Sequence, residues 1–414
     1  MKKYLILTFN VCNMGGGQLF VLRRARHLAN NGYDVHIVVT FHTEYFPLKE
    51  QFGDFHLYYI PEMVHTSSLY SNKRVREIID NLKNKIGEDS DLLIESHTLP
   101  TTEWGELIAG EYGAKHLAYP LAEPKVSQYR FAPGIRIFNE KLKRGEFYGC
   151  SSTSLSEIFE KDDVPSNYVN IGYDEKELYD KCDPKLNINK GINDYLITTV
   201  TRLDKIYVEP LIENTILLAD KYPHQNFILL IAGGSKTPGR EEYLFSKYTD
   251  EKINKSNLRV IFSGYIEKLG RDIFQMTDVF VGMGTAVINA ISQCCITLNI
   301  DPRNNMRYAS GFFGVDTTNF AYSENGEFFS IVDKLEEAYL MSAEEKNKIS
   351  MLGRKLYEEA FEDDACMNKL DDIVSSLEAV SKDDIQLPSM LYKSMVICIT
   401  RLYRGLSIIK NRKL

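Results

Sequence analysis

The chain has no cysteine pair at CxxC spacing and no HExxH segment, so neither pattern that announces a bound zinc is present. Its seven cysteines, Cys12, Cys150, Cys182, Cys294, Cys295, Cys366 and Cys398, are odd in number, irregular in spacing and mostly set in apolar runs. That usage fits reduced thiols in a cytosolic protein and excludes a disulfide framework. Net positive charge is also lacking: 49 Lys and Arg stand against 57 Asp and Glu, leaving −8. A general nucleic-acid binder, whose affinity comes from neutralising phosphates, is therefore not expected. No run approaches the ~18 apolar residues of a spanning helix. The apolar stretch in MKKYLILTFNVCNMGGG is too short for a signal peptide and lacks a small-residue cleavage site, so a cytoplasmic location is expected.

What is present is a folded chain, 44% hydrophobic and 26% charged, whose 414 residues exceed one ordinary core and suggest two domains. Short β-rich runs (YLILTF, DVHIVVT, HLYYI, DLLIES, KHLAYP, YVNI) alternate with helical segments over the first 171 residues. In QLFVLRRARHLANNG, Val21, Ala25, Leu28 and Ala29 fall on one helix face and Gly32 ends it. Residues 172–194 are polar with Gly and Pro, and read as a linker. A second series (DYLITTV, NFILLIAGG, LRVIFSG, DVFVGMG, CITLNI) then runs with acidic helices to about residue 384. The expected fold is α/β, with two Rossmann-like, doubly wound parallel-sheet domains facing across a cleft. They span residues 1–171 and 195–384, followed by a tail at 385–414.

The first β-run leads into NMGGGQLF, which invites comparison with the dinucleotide fingerprint GxGxxG. Gly15 and Gly17 match it, but Phe20 stands where the last glycine belongs. Glu44, the nearest acid about 20 residues on, comes after the second strand should have ended. A nicotinamide cofactor is not expected. Bare amides at a helix start still leave room for an anionic group, and Gly16 and Gly17 are placed there. Read structurally, the same glycines make a tight strand-to-helix turn. In the second series four strands end alike. Arg202 and Lys205 follow DYLITTV in TRLDK, Gly233 and Gly234 close IAGG, and Gly264 closes FSG. GMGT then brings Gly284 into a helix with Thr285 as the expected N-cap. Ligands of open α/β sheets bind at such strand ends, where Arg offers a planar fork and Lys a point charge to phosphate.

Taken in order, TRLDK, LLIAGGS, IFSGYI, MTDVFVG and NAISQCCITLNID, with MGGGQLFVLRRARHLANNGYDVHIVV in the first half, resemble the retaining GT-B glycosyltransferases of the large group 1 family, which includes capsule, exopolysaccharide and lipopolysaccharide enzymes. The resemblance reaches about residue 380 and implies transfer of a sugar from a UDP- or GDP-linked donor to a glycan or lipid-linked acceptor. It also implies retention, with no metal and no cofactor besides the nucleotide-sugar substrate. It casts Arg202 and Lys205 as the cations on the leaving diphosphate, and Gly16, Gly17, Gly233, Gly234, Gly264, Gly284 and Thr285 as donor-binding backbone. The family's Glu-x7-Glu is altered: Asn289 stands where the second Glu would contact the ribose, and the first has no counterpart. For the His that commonly contacts the donor sugar, Glu123 in YPLAEP and His97 in ESHTLP are the candidates. Asp89-Ser90-Asp91 matches a metal-binding DxD but precedes its strand, away from the ligand edge, so no metal is assigned to it. A nucleotide-sugar epimerase and a non-catalytic GT-B partner subunit are the alternatives.

From residue 387 to the end the chain has no acid and six Lys or Arg. Drawn as a helix, Leu391, Met395, Ile399, Leu402, Leu406 and Ile409 form an apolar stripe with basic residues mostly opposite. Residues 386–414 are accordingly expected to lie on an anionic membrane surface as a peripheral anchor, the alternative being a helix packed on the first domain.

Overall fold

The computed structural model describes residues 2–381 apart from 13–14, 43–48, 88–90, 130–133, 187, 249–252, 254, 267, 321 and 324–325. Asp89 and Ser90 of the DxD match, and the whole basic tail, lie outside the described residues. The chain divides into two compact units, the first formed by residues up to Asn170 and again from Cys366 on, the second by Ile171–Ala365.

The first unit alternates β1 (Lys3–Thr8), α1 (Gly16–Asn30), β2 (Asp34–Val39), β3 (His56–Tyr59), α2 (Asn72–Ile86), β4 (Leu93–Ser96), α3 (Leu99–Tyr112), β5 (Lys115–Ala118), α4 (Gly134–Lys143) and α5 (Ser154–Phe159). Its five strands are all parallel in the order β3-β2-β1-β4-β5. β1 is buried along five of its six residues, as a strand covered on both faces must be. The only tryptophan, Trp104 on α3, is fully buried and donates its indole N–H to the His65 carbonyl at 2.8 Å. The YVNI run forms no strand; Tyr168 makes only an isolated bridge with Gly149.

In the second unit follow β6 (Asp194–Val200), α6 (Val208–Lys221), β7 (Asn226–Ala232), α7 (Arg240–Lys247), β8 (Leu258–Gly264), α8 (Arg271–Met276), β9 (Val279–Gly282), α9 (Thr285–Ser292), β10 (Thr297–Ile300), β11 (Tyr308–Phe312), β12 (Phe329–Ser330), α10 (Ile331–Leu340) and α11 (Ala343–Ala360). The sheet order is β12-β11-β10-β9-β6-β7-β8. Strands β6 to β10 pair in parallel, and β11 and β12 add an antiparallel edge. Residues 172–193 are not a free linker, because they hydrogen-bond along this unit: Tyr179 N donates to Leu269 O at 3.1 Å and Asp183 N to Lys268 O at 3.0 Å.

Near Ala365 the chain returns to the first unit through α12 (Asp363–Ser376), whereas the sequence carried the second domain on to residue 384. The physical cause is Arg24. Its fully buried guanidinium donates to Asp371 Oδ1 at 2.6 Å, to the Met367 carbonyl at 3.2 Å and to Glu95 Oε2 at 3.1 Å. Val380, buried against the α2–α3 core, then donates to Ala114 O at 2.9 Å.

Candidate functional site

An open parallel sheet parts its connections where the strand order reverses, and side chains beyond the carboxyl ends there are free to hold a ligand. In the second unit that point falls between β6 and β9, because the chain leaves β6 toward β7 and β8 before returning to β9. The β6 loop carries Arg202 and Lys205, and the β9 loop carries Met283, Gly284 and Thr285. The two loops meet: Lys205 Nζ lies 3.9 Å from Met283 Sδ. Burial pushes the Lys205 ammonium down from its ordinary value, and the neighbouring Arg202 charge pushes it further. Among the described residues no carboxylate pairs with Arg202 or Lys205. Lys236, in the loop after β7, is lowered by burial and by the same Arg202, so it belongs to this cluster although the sequence reading passed over it.

The loop after β7 is fixed from beneath by Asp204, whose carboxylate accepts from Ser235 Oγ at 2.6 Å, Lys236 N at 2.9 Å and Thr237 N at 3.2 Å. Burial would raise this carboxyl, but those donors hold it well below the usual range. Gly233 has φ +143°, and a Cβ there would overlap the Thr201 carbonyl oxygen. Only glycine lets the β7 loop run against the β6 loop. Gly233 N donates to Gly264 O at 3.1 Å and Leu203 N to Gly234 O at 3.0 Å, so these glycines knit three strand ends together.

At α9 the expected cap is corrected. Gly284, at φ +66°, is the N-cap and Thr285 is the first helical residue, with no side-chain cap hydrogen bond. A residue at that φ is almost always glycine, which is why the cap sits one position earlier. No acidic residue occupies the first turn, so its amides face outward without a carboxylate of their own. Asn289 follows Thr285 by one turn on the same face. Its Oδ1 is buried and has no hydrogen-bond partner among the described residues.

The equivalent reversal in the first unit lies between β1 and β4. α1 begins there with Gly15 as its N-cap and Gly16 and Gly17 as its first two residues. Gly15 has φ −165°, which any residue adopts, and a Cβ on Gly17 would meet only Leu121 Cδ1, at 3.9 Å. Backbone geometry therefore does not demand glycine at either position, and no acid or side-chain cap covers the amides. His97 follows β4, nearly fully buried, with Nε2 2.8 Å from Glu95 Oε1. A carboxylate only accepts, so Nε2 carries the hydrogen, and the buried Nδ1 has no partner among the described residues. Burial would raise the Glu95 carboxyl, but Arg24, His97 and Tyr4 bring it down to about 2. Glu123 is placed otherwise: it accepts from Ser154 Oγ at 2.9 Å at the start of α5. Of the two candidates for the sugar-contacting side chain, His97 is the one beside the β1–β4 reversal.

The sequence matches no protein-family model and no curated protein. Solved structures do match. Anabaena Alr3699/HepE, in complex with UDP and glucose, superposes with a TM-score of 0.63 over 91% of this chain and 100% of its own, at 13% identity. A glycosyltransferase from Rickettsia africae gives 0.62 over 90% and 98% at 14% identity. The lipopolysaccharide outer core galactosyltransferase WaaB, in its apo form, gives 0.57 over 90% and 99% at 11% identity. Each match runs along 98–100% of the solved chain, and this chain has the GT-B glycosyltransferase fold.

Proposed function

We propose that the protein is a glycosyltransferase that takes a nucleotide-activated sugar at the carboxyl edge of the second unit's sheet and a glycan or lipid-linked acceptor on the first. The observation that carries this reading is the meeting of Lys205, Arg202 and the uncapped α9 start at the β6–β9 reversal, with no carboxylate among the described residues to neutralise them. A lysine lowered by burial and then by a neighbouring cation, as Lys205 is by Arg202, is relieved when an anion binds between them. The anion that fits is a diphosphate, and the UDP bound by the HepE structure supports that class.

Transfer requires the bond between the anomeric carbon and the diphosphate to break, with negative charge gathering on the departing oxygen. Arg202, Lys205 and Lys236 supply fixed positive charge for that oxygen, and the α9 amides add preorganised donors. Asn289 Oδ1 is an acceptor for a sugar hydroxyl of the nucleotide. His97 is oriented by Glu95 on the first unit, where its Nδ1 has no partner among the described residues. With three cations serving the diphosphate, the reading is metal-independent, and it carries retention over from the family resemblance. A bacterial surface polysaccharide as the product, and residues 386–414 as a peripheral membrane anchor, complete the proposal.

The test is a binding and turnover screen with UDP- and GDP-sugars on wild type and Arg202→Ala. Loss of one such donor group typically costs about 3–4 kcal/mol in the transition state, so turnover should fall about 10²–10³-fold. If no nucleotide sugar binds the wild type and Arg202→Ala changes nothing, the proposal fails.

A further inference from the structure

Far from the carboxyl edges, at the start of β2 and β3, three ligand-type side chains stand on one face of the first sheet. Residues two apart on a strand share a face. Asp34 and His36 therefore lie side by side on β2, and the parallel register sets His56 of β3 directly opposite His36. Asp34 Oδ2 is 3.1 Å from His36 Nε2 and Asp34 Oδ1 is 3.2 Å from His56 Nε2. The imidazoles stack with centroids 4.7 Å apart and an 18° angle. One ligand atom from each residue can be chosen so that all three lie within 4.8 Å of one another. A tetrahedron with arms of about 2.0–2.1 Å has edges of about 3.3–3.4 Å, so small rotations bring these atoms onto one ion.

We propose that Asp34, His36 and His56 form a binding site for a divalent transition metal of the zinc class, separate from the sugar-transfer site. Outer partners are already in place. His36 Nδ1 is 3.0 Å from the Tyr58 hydroxyl, whose ring stacks on the imidazole at 5.9 Å and 10°. Tyr58, two residues beyond His56, shares its face. A metal-bound imidazole needs such a partner on its other nitrogen to fix the tautomer. Two imidazoles and a single carboxylate disfavour calcium and magnesium, which need several oxygen ligands, and favour an ion that gains most from imidazole. Three protein ligands leave a fourth position, and the 58% exposed His56 side chain opens it to solvent. Because β3 is the edge strand, the ion would clamp the sheet's free edge to β2.

Titration of the full chain with zinc chloride, followed by calorimetry and metal analysis after dialysis, tests this. About one equivalent should bind the wild type, with affinity at least about tenfold weaker in His56→Ala and in Asp34→Asn. Both sites are partly or largely exposed, so these variants keep the fold even where His36→Ala does not. Tyr58→Phe should weaken binding by about tenfold. Zinc should raise the melting temperature of the wild type and not of His56→Ala. No binding to the wild type, or equal binding to wild type and both ligand variants, overturns the proposal.

Discussion

His116 offers a measurement in which the size of the effect follows from the structure. It is fully buried on β5, with Nδ1 2.9 Å from Glu106 Oε2 and Nε2 2.8 Å from Ser96 Oγ. Burial, and then the Lys141 charge, lower it from an ordinary 6.5 to about 4. In the unfolded chain the imidazole takes a proton near 6.5, and in the folded protein only near 4. Between those values the unfolded state binds more protons, so stability falls as the pH drops. At about 1.4 kcal/mol per pH unit the whole effect is about 3 kcal/mol, of which about 2 kcal/mol is lost between pH 7 and pH 5. Glu95 and Glu106, both depressed, remain ionised in the folded protein throughout that window. His36 is lowered too and acts in the same direction. The comparison is therefore between wild type and His116→Gln, which keeps His36 and a neutral hydrogen-bonding side chain. Urea unfolding at pH 7, 6 and 5 should show the variant losing about 2 kcal/mol less than wild type across the range, whatever its absolute stability. Parallel pH dependences in the two proteins would refute the reasoning.

Two further outcomes follow from the same geometry. Lys141 Nζ is fully buried and donates to Glu106 Oε2 at 2.9 Å, Glu146 Oε2 at 2.8 Å and His116 O at 2.8 Å. Lys141→Met removes the buried cation from Glu106 and Glu146 but leaves both paired with Arg144, so it should cost about 2–3 kcal/mol in urea unfolding, a loss under 1 kcal/mol contradicting the buried pairing. Gly233→Ala places a methyl group on the Thr201 carbonyl, whereas Gly264→Ala meets open space at φ +67°. Nucleotide-sugar affinity should drop far more in the first than in the second, and equal affinities would remove the β6–β7 loop contact from the site.

The strand-end motifs were legible because they are local. TRLDK, IAGG and GMGT each place cations or bare backbone within a few residues of a strand, and the 3.6 and 2 periodicities located those strands. α9 begins at Thr285, within one residue of the start that GMGT implied. What escaped depends on distance along the chain. Arg24 meets Asp371 across 347 residues, and no pattern near either announces the pair. The YASGF and FS strands are too short and too mixed to alternate. His36 and His56 sit in strands correctly read, yet only the pairing register shows that they face each other. Glu123 and His97 looked equivalent as ionisable loop residues. Their neighbours separate them: Ser154 engages Glu123, and Glu95 orients His97.

The Arg24 anchorage also governs how the protein can be taken apart. A fragment ending at Asn170 would keep Arg24 and Glu95 in its interior but lose Asp371 and the Met367 carbonyl that complete the guanidinium's partners. Cutting the chain once, at either passage between the units, releases no self-sufficient half. An independently folding first unit has to be stitched from two separate stretches of the chain, with α12 fused after residue 170, and the second unit has to be excised from between them.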